Sequence, residues 1–292
     1  MKLRKNGCSR CNIAKELGIS IHTVENWIYG ITKPRPYVYP HAVNLNPSKE
    51  LSYVLGVYYG DGSAWKSNKG FFIELQVKDR DFIDEFNRCI SWVLNRKKIY
   101  PTYVKRELFK ITTCSKLLYE FLKKPLEEHK IIIKNFPAEF LRGFYDSEGC
   151  VVYRKQKWGK PRIDVDVCNT DLSLLNYIKD ILACHFSIYP SKKVHIVKAK
   201  PMIVGGELRH FKKDVYHICI SAQESVQKFY NQIGFSIKRK QEKLGRIHQI
   251  LNTPYQCNYC NWRTNNSSAL GGHTTTNHSP NFSRNEGGRF GL

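Results

Sequence analysis

The chain has 292 residues, 41% of them hydrophobic and 13% aromatic, which suffices for a packed core and for two domains or one domain with appendages. Its formal net charge of +22 requires an anionic partner. No apolar run approaches the roughly 20 residues of a membrane-spanning helix, which excludes a membrane partner and leaves nucleic acid as the polyanion of suitable size.

In chain order, residues 1–32 read as helix, tight turn, helix. Ile13, Ala14 and Leu17 form the first apolar face, Gly18 the turn, and Ser20 caps a second helix with Val24, Trp27 and Ile28 turned inward. This pattern resembles a DNA-binding helix-turn-helix, which would present Ser20, His22, Thr23 and Asn26 to a major groove. Residues 33–47, including Lys33-Pro-Arg-Pro-Tyr-Val-Tyr-Pro40, read as a basic, proline-rich linker.

Residues 48–135 form a first repeat: a helix over Leu51 to Gly60, a strand over Phe71 to Val77 and a helix over Asp79 to Trp92. Strands near Ile99 to Val104 and Glu107 to Thr113 follow, then a helix over Ser115 to Lys124. Residues 136–250 restate the order with a helix over Ala138 to Glu148, strands over Cys150 to Tyr153 and Arg162 to Cys168, and a helix over Asp171 to Ala183. Strands His195 to Lys200 and Val215 to Ile220 lead to a helix over Gln223 to Ile233 and a charged helix over Ser236 to Ile250. Pro201 to Lys213 is an insertion that lengthens the second repeat. Residues 254–279 form a compact module, and the Gly/Asn/Arg-rich residues 280–292 read as a disordered tail.

The two repeats open on nearly the same words, Leu55-Gly-Val-Tyr-Tyr-Gly-Asp61-Gly62 and Leu141-Arg-Gly-Phe-Tyr-Asp-Ser-Glu148-Gly149. Gly56 and Gly60, like Gly143 and Ser147, sit one helical turn apart, so each helix offers a flat strip to another backbone. Helices packed through those strips bring Asp61 and Glu148 out side by side. Both stretches resemble the signature of the LAGLIDADG homing endonucleases, and two copies in one chain resemble the family's single-chain members. The resemblance implies an α+β fold of two pseudo-symmetric αββαββα repeats packed through their motif helices, with small helical and zinc-finger appendages. It also implies a monomeric endonuclease that cuts double-stranded DNA at a long site, as in intron homing.

Under that resemblance Asp61 and Glu148 bind two or three Mg²⁺ ions, with the carbonyls of Gly60 and Ser147 as further ligands. Asp146, the motif's other acid, is assigned a structural role at the helix end. Lys116, in Ile111-Thr-Thr-Cys-Ser-Lys116, matches the turn bearing the family's active-site lysine, whereas the second repeat has Gln223 there. Gln76 and Asp79 are weaker candidates for ordering solvent, and Gln76 also for touching DNA. A non-cleaving transcription regulator and an intron RNA maturase on the same core are the competing readings, the latter with intron RNA as partner.

Cys257-x2-Cys260-x12-His273-x4-His278 has the spacing of a Cys2His2 finger holding one structural Zn²⁺. Tyr255 and Leu270 match its core positions, and Trp262 stands near Thr264, where phenylalanine is usual. Asn266 is its candidate base-reading residue. Cys8 and Cys11 read as a reduced structural pair. The other six cysteines (Cys89, Cys114, Cys150, Cys168, Cys184 and Cys219) read as reduced, small hydrophobes. No hydrophobic segment follows the charges of Met1 to Asn6, so the expected location is the cytoplasm, with the nucleoid, or another DNA-containing compartment, and not the exterior.

Overall fold

A computed structural model describes residues 7–17, 19–32, 43–96, 102–104, 108–154, 160–191, 194–199, 201–204, 207–210 and 213–278. The turn assigned to Gly18, most of the linker, the start of the strand at Ile99 and the tail 280–292 lie outside the described residues. The chain divides into two compact units, Met1–Ala42 and Val43–Leu292.

The first unit is a helical hairpin of α1 (Arg10–Leu17) and α2 (Ile21–Ile28). Ser20 caps α2 by accepting the Thr23 N–H at 3.1 Å. Ile13, Ala14 and Val24 form a small core with Ile19 and Ile28 against it. Leu17, expected to face inward, is 48% exposed, because a two-helix core covers only part of each helix.

The second unit begins with α3 (Lys49–Tyr59), β1 (Ser63–Ser67), β2 (Gly70–Val77), α4 (Arg80–Val93), β3 (Thr102–Val104), β4 (Leu108–Cys114) and α5 (Lys116–Leu122). After α6 (Leu126–Asn135) the order recurs: α7 (Pro137–Glu148), β5 (Gly149–Arg154), β6 (Arg162–Asn169), α8 (Leu172–Phe186), β7 (His195–Val197), β10 (Val215–Ile220) and α9 (Gln223–Gln232). The Pro201–Lys213 insertion supplies the separate hairpin β8 (Pro201–Val204) and β9 (Glu207–His210). Both main sheets are antiparallel and share one topology, β1-β2-β4-β3 and β5-β6-β10-β7. The molecule therefore has the expected α+β architecture of two αββαββα repeats, and both halves contribute to one core.

Three elements depart from the sequence reading. Strand β1 was not anticipated, because Ser63-Ala-Trp-Lys-Ser67 is polar and buries only Ala64 at a sheet edge. Helix α6 was not separated from its neighbours, although it buries His129, Ile132 and Ile133. The charged helix expected over Ser236 to Ile250 is two, α10 (Lys238–Gly245) and α11 (Ile247–Asn252). Beyond them lie the hairpin β11 (Tyr255–Gln256) with β12 (Arg263–Thr264) and the helix α12 (Ser267–His278).

Candidate active site

Helices α3 and α7 meet backbone to backbone. A side chain on Gly56 would overlap the Phe140 carbonyl and stand 2.8 Å from the Phe144 nitrogen. One on Gly143 would overlap the Tyr53 carbonyl and stand 3.1 Å from the Val57 nitrogen. At the helix ends, the space a Gly60 side chain would need is filled by Ser147, with Oγ 2.8 Å away. The Ser147 hydroxyl donates back to the Gly143 carbonyl at 3.0 Å, so it is tied into its own helix. Asp61 and Glu148 therefore leave the pair at one end.

Their electrostatics record that placement. Burial pushes the Asp61 carboxyl above its ordinary value, partly offset by the Lys240 charge. Burial first, and then the Asp61 charge, push Glu148 up to about 7, again against Lys240. Two acids that resist simultaneous ionisation are poised to accept a cation.

Lys240, on α10, is 8% exposed and donates to the carbonyls of Tyr145 and Asp146 at 3.2 and 2.6 Å. It closes the end of α7 and is the cation whose charge reaches both acids. Burial lowers its own pKa. Beneath it, Asp146 accepts from the Tyr53 hydroxyl at 2.8 Å and the Ser236 N–H at 2.9 Å, and burial raises it to about 6. Tyr59, the matching residue of the first motif, bonds His129 Nδ1 at 2.7 Å, and His129 Nε2 lies 3.0 Å from the Phe121 carbonyl. A nitrogen facing a carbonyl must donate, so Nδ1 accepts the tyrosine proton and the ring is neutral, as its lowered pKa requires.

The other sequence-derived candidates have partners of their own. Lys116 opens α5, 64% exposed, paired with Glu120 at 3.6 Å and with its Nζ 5.8 Å from the Phe71 ring centroid. Gln223 is not its functional twin, since its amide clamps the backbone of Ile163 and Ser221. Asp79 is held by both arms of Arg239 at 2.6 and 2.7 Å. Gln76 sits on the exposed face of the first sheet. In the hairpin unit, Ser20 and Thr23 bond each other at 2.8 Å, His22 is 81% exposed, and the Asn26 carbonyl accepts from Thr32. Lys240 was missed because Lys238-Arg-Lys-Gln-Glu-Lys243 reads as a solvated charge run, and only packing singles out its third member.

The donor atoms of Cys257, Cys260, His273 and His278 all lie within 4.8 Å of one another. Trp262 stacks on His273 with ring centroids 4.3 Å apart, and Tyr259 stacks on His278 at 5.1 Å. His278 Nε2 is buried without a hydrogen-bond partner, the state expected of a ring nitrogen built to ligate metal. Asn266 caps α12 with its side-chain oxygen, which accepts from the Ser268 and Ala269 N–H groups at 2.8 and 3.3 Å.

Residues 135–234, from α7 to the end of α9, match the family model of the LAGLIDADG-like domain. The uncharacterized protein MJ0398 of Methanocaldococcus jannaschii is 33% identical over 258 residues, covering 84% of this chain and 90% of that protein. The chain belongs to its family. A second protein of that organism, the uncharacterized MJ0314, is 35% identical over 162 residues, 51% of this chain and 60% of its own length. Among solved structures, the homing endonuclease I-DmoI is 17% identical with a TM-score of 0.47, covering 64% of this chain and 97% of that one. The LAGLIDADG-like match spans the second repeat, and the first repeat has the same strand order.

Proposed function

We propose that this chain is a sequence-specific, metal-dependent DNA endonuclease that makes a double-strand break at a long site as a monomer. The observation carrying the reading is the convergence of Asp61 and Glu148 at the joined ends of α3 and α7, where the charge of one raises the pKa of the other. The hard oxygen donors there fit Mg²⁺, and the repulsion between them is what a divalent cation would relieve. Asp61 and Glu148 would hold the ions, with the Gly60 and Ser147 carbonyls alongside. Bound Mg²⁺ supplies charge neutralisation at the phosphate and a water of lowered pKa.

The chain's own groups do the rest. Lys240 holds the α7 end in place through two carbonyls and tempers the negative field of the acids. The two four-stranded sheets turn polar faces to solvent, suited to base edges and phosphates. The hairpin unit and a zinc-loaded Cys257–His278 module extend the footprint.

The test is cleavage of a plasmid library of randomised sites with Mg²⁺, comparing wild type with Asp61→Asn and Glu148→Gln. Recurrent short cohesive ends at one long site, lost in both variants, are expected. Tight site-specific retention by all three proteins with no cutting would overturn the reading and leave a non-cleaving DNA binder.

A further inference from the structure

The two sheets differ in chemistry at the ends far from the acids. Val151 of β5 and Ile163, Val165 and Val167 of β6 line the core, so Val152, Arg154, Arg162 and Asp164 stand on the outer face. Arg154 and Arg162 are direct cross-strand partners, and Asp164 lies opposite Val152 in the neighbouring row of that face. Asp164 accepts from Arg154 Nε, and Arg162 approaches it with Nε at 3.2 Å and a terminal amine at 3.4 Å. The carboxylate is 1% exposed, whereas the two arginine side chains are 51% and 40% exposed.

The first sheet shows that the fold does not need this cluster. Ser67 stands six residues past Asp61, as Arg154 stands six past Glu148. Register then puts Gly70 in the place of Arg162 and Phe72 in the place of Asp164. There Trp65 stacks on Phe72 with ring centroids 4.4 Å apart. A buried carboxylate on a solvent-facing sheet carries a desolvation cost that a stacked ring does not. Two guanidiniums against one carboxylate also leave an excess positive charge on the outer face.

We propose that Arg154, oriented by Asp164, reads a guanine in the major groove toward the outer end of one half of the target, and that the other half has no counterpart. The inference rests on the reading of the chain as a sequence-specific DNA endonuclease and names a base for its second sheet. The bond to Asp164 uses Nε, so both terminal amines of Arg154 remain for an outside acceptor. Guanine presents N7 and O6 side by side, the pair of acceptors that one guanidinium edge matches. A phosphate needs only a point charge, which a flexible lysine supplies equally well. The buried carboxylate fixes the guanidinium plane before DNA arrives, so less side-chain freedom is lost on binding. Arg162 holds the carboxylate from the other strand position and keeps it neutralised when Arg154 engages a base. Six residues of strand span about 20 Å, the rise of about six base pairs at roughly 3.4 Å each. The guanine is therefore expected about six base pairs to one side of the centre.

The test is selection of bound duplexes from a randomised library by the full-length protein without added Mg²⁺, read by sequencing. Wild type should enrich guanine at one such position on one side only. Arg154→Ala, a change at an exposed side chain, should lower that preference about tenfold or more and leave the other positions unchanged. Arg154→Lys keeps the charge, so it should lose the guanine preference while retaining the affinity for random duplex and its salt slope. Asp164→Asn, with circular dichroism to confirm the fold, should blur the same position alone. A base profile unchanged in both Arg154 variants would overturn the proposal. So would a wild type without base preference, or a uniform loss of affinity in Arg154→Ala with a salt slope shallower by about one, the mark of a phosphate contact. A protein that keeps the guanine preference but cuts nothing when Mg²⁺ is added would sink the endonuclease reading and leave this one standing.

Discussion

Asp146 and Tyr59 occupy the same position in their motifs and anchor the two halves by different chemistry. Tyr59 donates to a neutral histidine, whereas Asp146 accepts from a tyrosine hydroxyl and a backbone N–H. The carboxylate can accept both protons, but an amide cannot: in Asp146→Asn the NH2 group must face either Tyr53 or Ser236. A loss of about 1–3 kcal/mol is expected, measured by urea unfolding near neutral pH. The cost should grow in acid. The folded pKa of about 6 lies above the ordinary carboxylate value of 3.8, so the folded protein binds this proton more readily than the unfolded chain. That contribution to stability is complete below about 4 and is lost as pH rises through about 6. The difference between wild type and variant should therefore vary across that window, and a flat difference would show that Asp146 does not titrate there. Lys240 teaches the complementary lesson, because its neighbours Arg239 and Lys238 are the same chemical type and only its burial and its two carbonyl partners make it part of the site.

At the scale of elements, the crossing of α3 and α7 is the part of the molecule with least tolerance. Each glycine at the crossing faces the other helix's backbone, which cannot swing aside as a side chain would. Gly56→Ala and Gly143→Ala should each destabilise by about 1–3 kcal/mol or more by forcing the helices apart. Chemical denaturation measures this, and a neutral result for both would mean that the helices do not meet here. The same two substitutions should loosen the acid pair, because Asp61 and Glu148 are set by the helix ends. Repeated glycine spacing made this contact legible in the sequence. Strand β1 was not legible: a polar edge strand has neither the alternation nor the apolar content that marks a strand, and it forms because β2 offers it a ladder.

For the whole molecule, a charge of +22 on 292 residues makes polyanion binding dominated by counterion release. Duplex affinity should fall about a thousandfold or more between roughly 50 and 200 mM salt, followed by titration at several ionic strengths. A shallow slope would mean that the basic residues are consumed in internal ion pairs, as Arg239 is by Asp79 and Arg154 and Arg162 are by Asp164. The molecule is pseudo-symmetric in topology and asymmetric in chemistry. Its two sheets share a strand order, yet the outer face of the first carries an amide, hydroxyls, a Lys–Glu pair and the Cys114 thiol, while that of the second carries Cys150, Cys168, Cys219, His195 and His217.

The sequence by itself determined the repeat, the helix crossing, the two converging acids and the Cys/His cluster, because each depends on local spacing that a folded chain must respect. Only the tertiary structure decided which cation serves the acids. It also gave Lys116, Asp79 and Asn266 partners that their positions in the chain do not announce: Glu120, Arg239 and the backbone that opens α12. Of the six scattered cysteines it buried only Cys89, although their surroundings in the chain are apolar or strand-like. These are questions of what lies across a helix or the next strand, and a linear pattern carries no record of which distant segment fills that place.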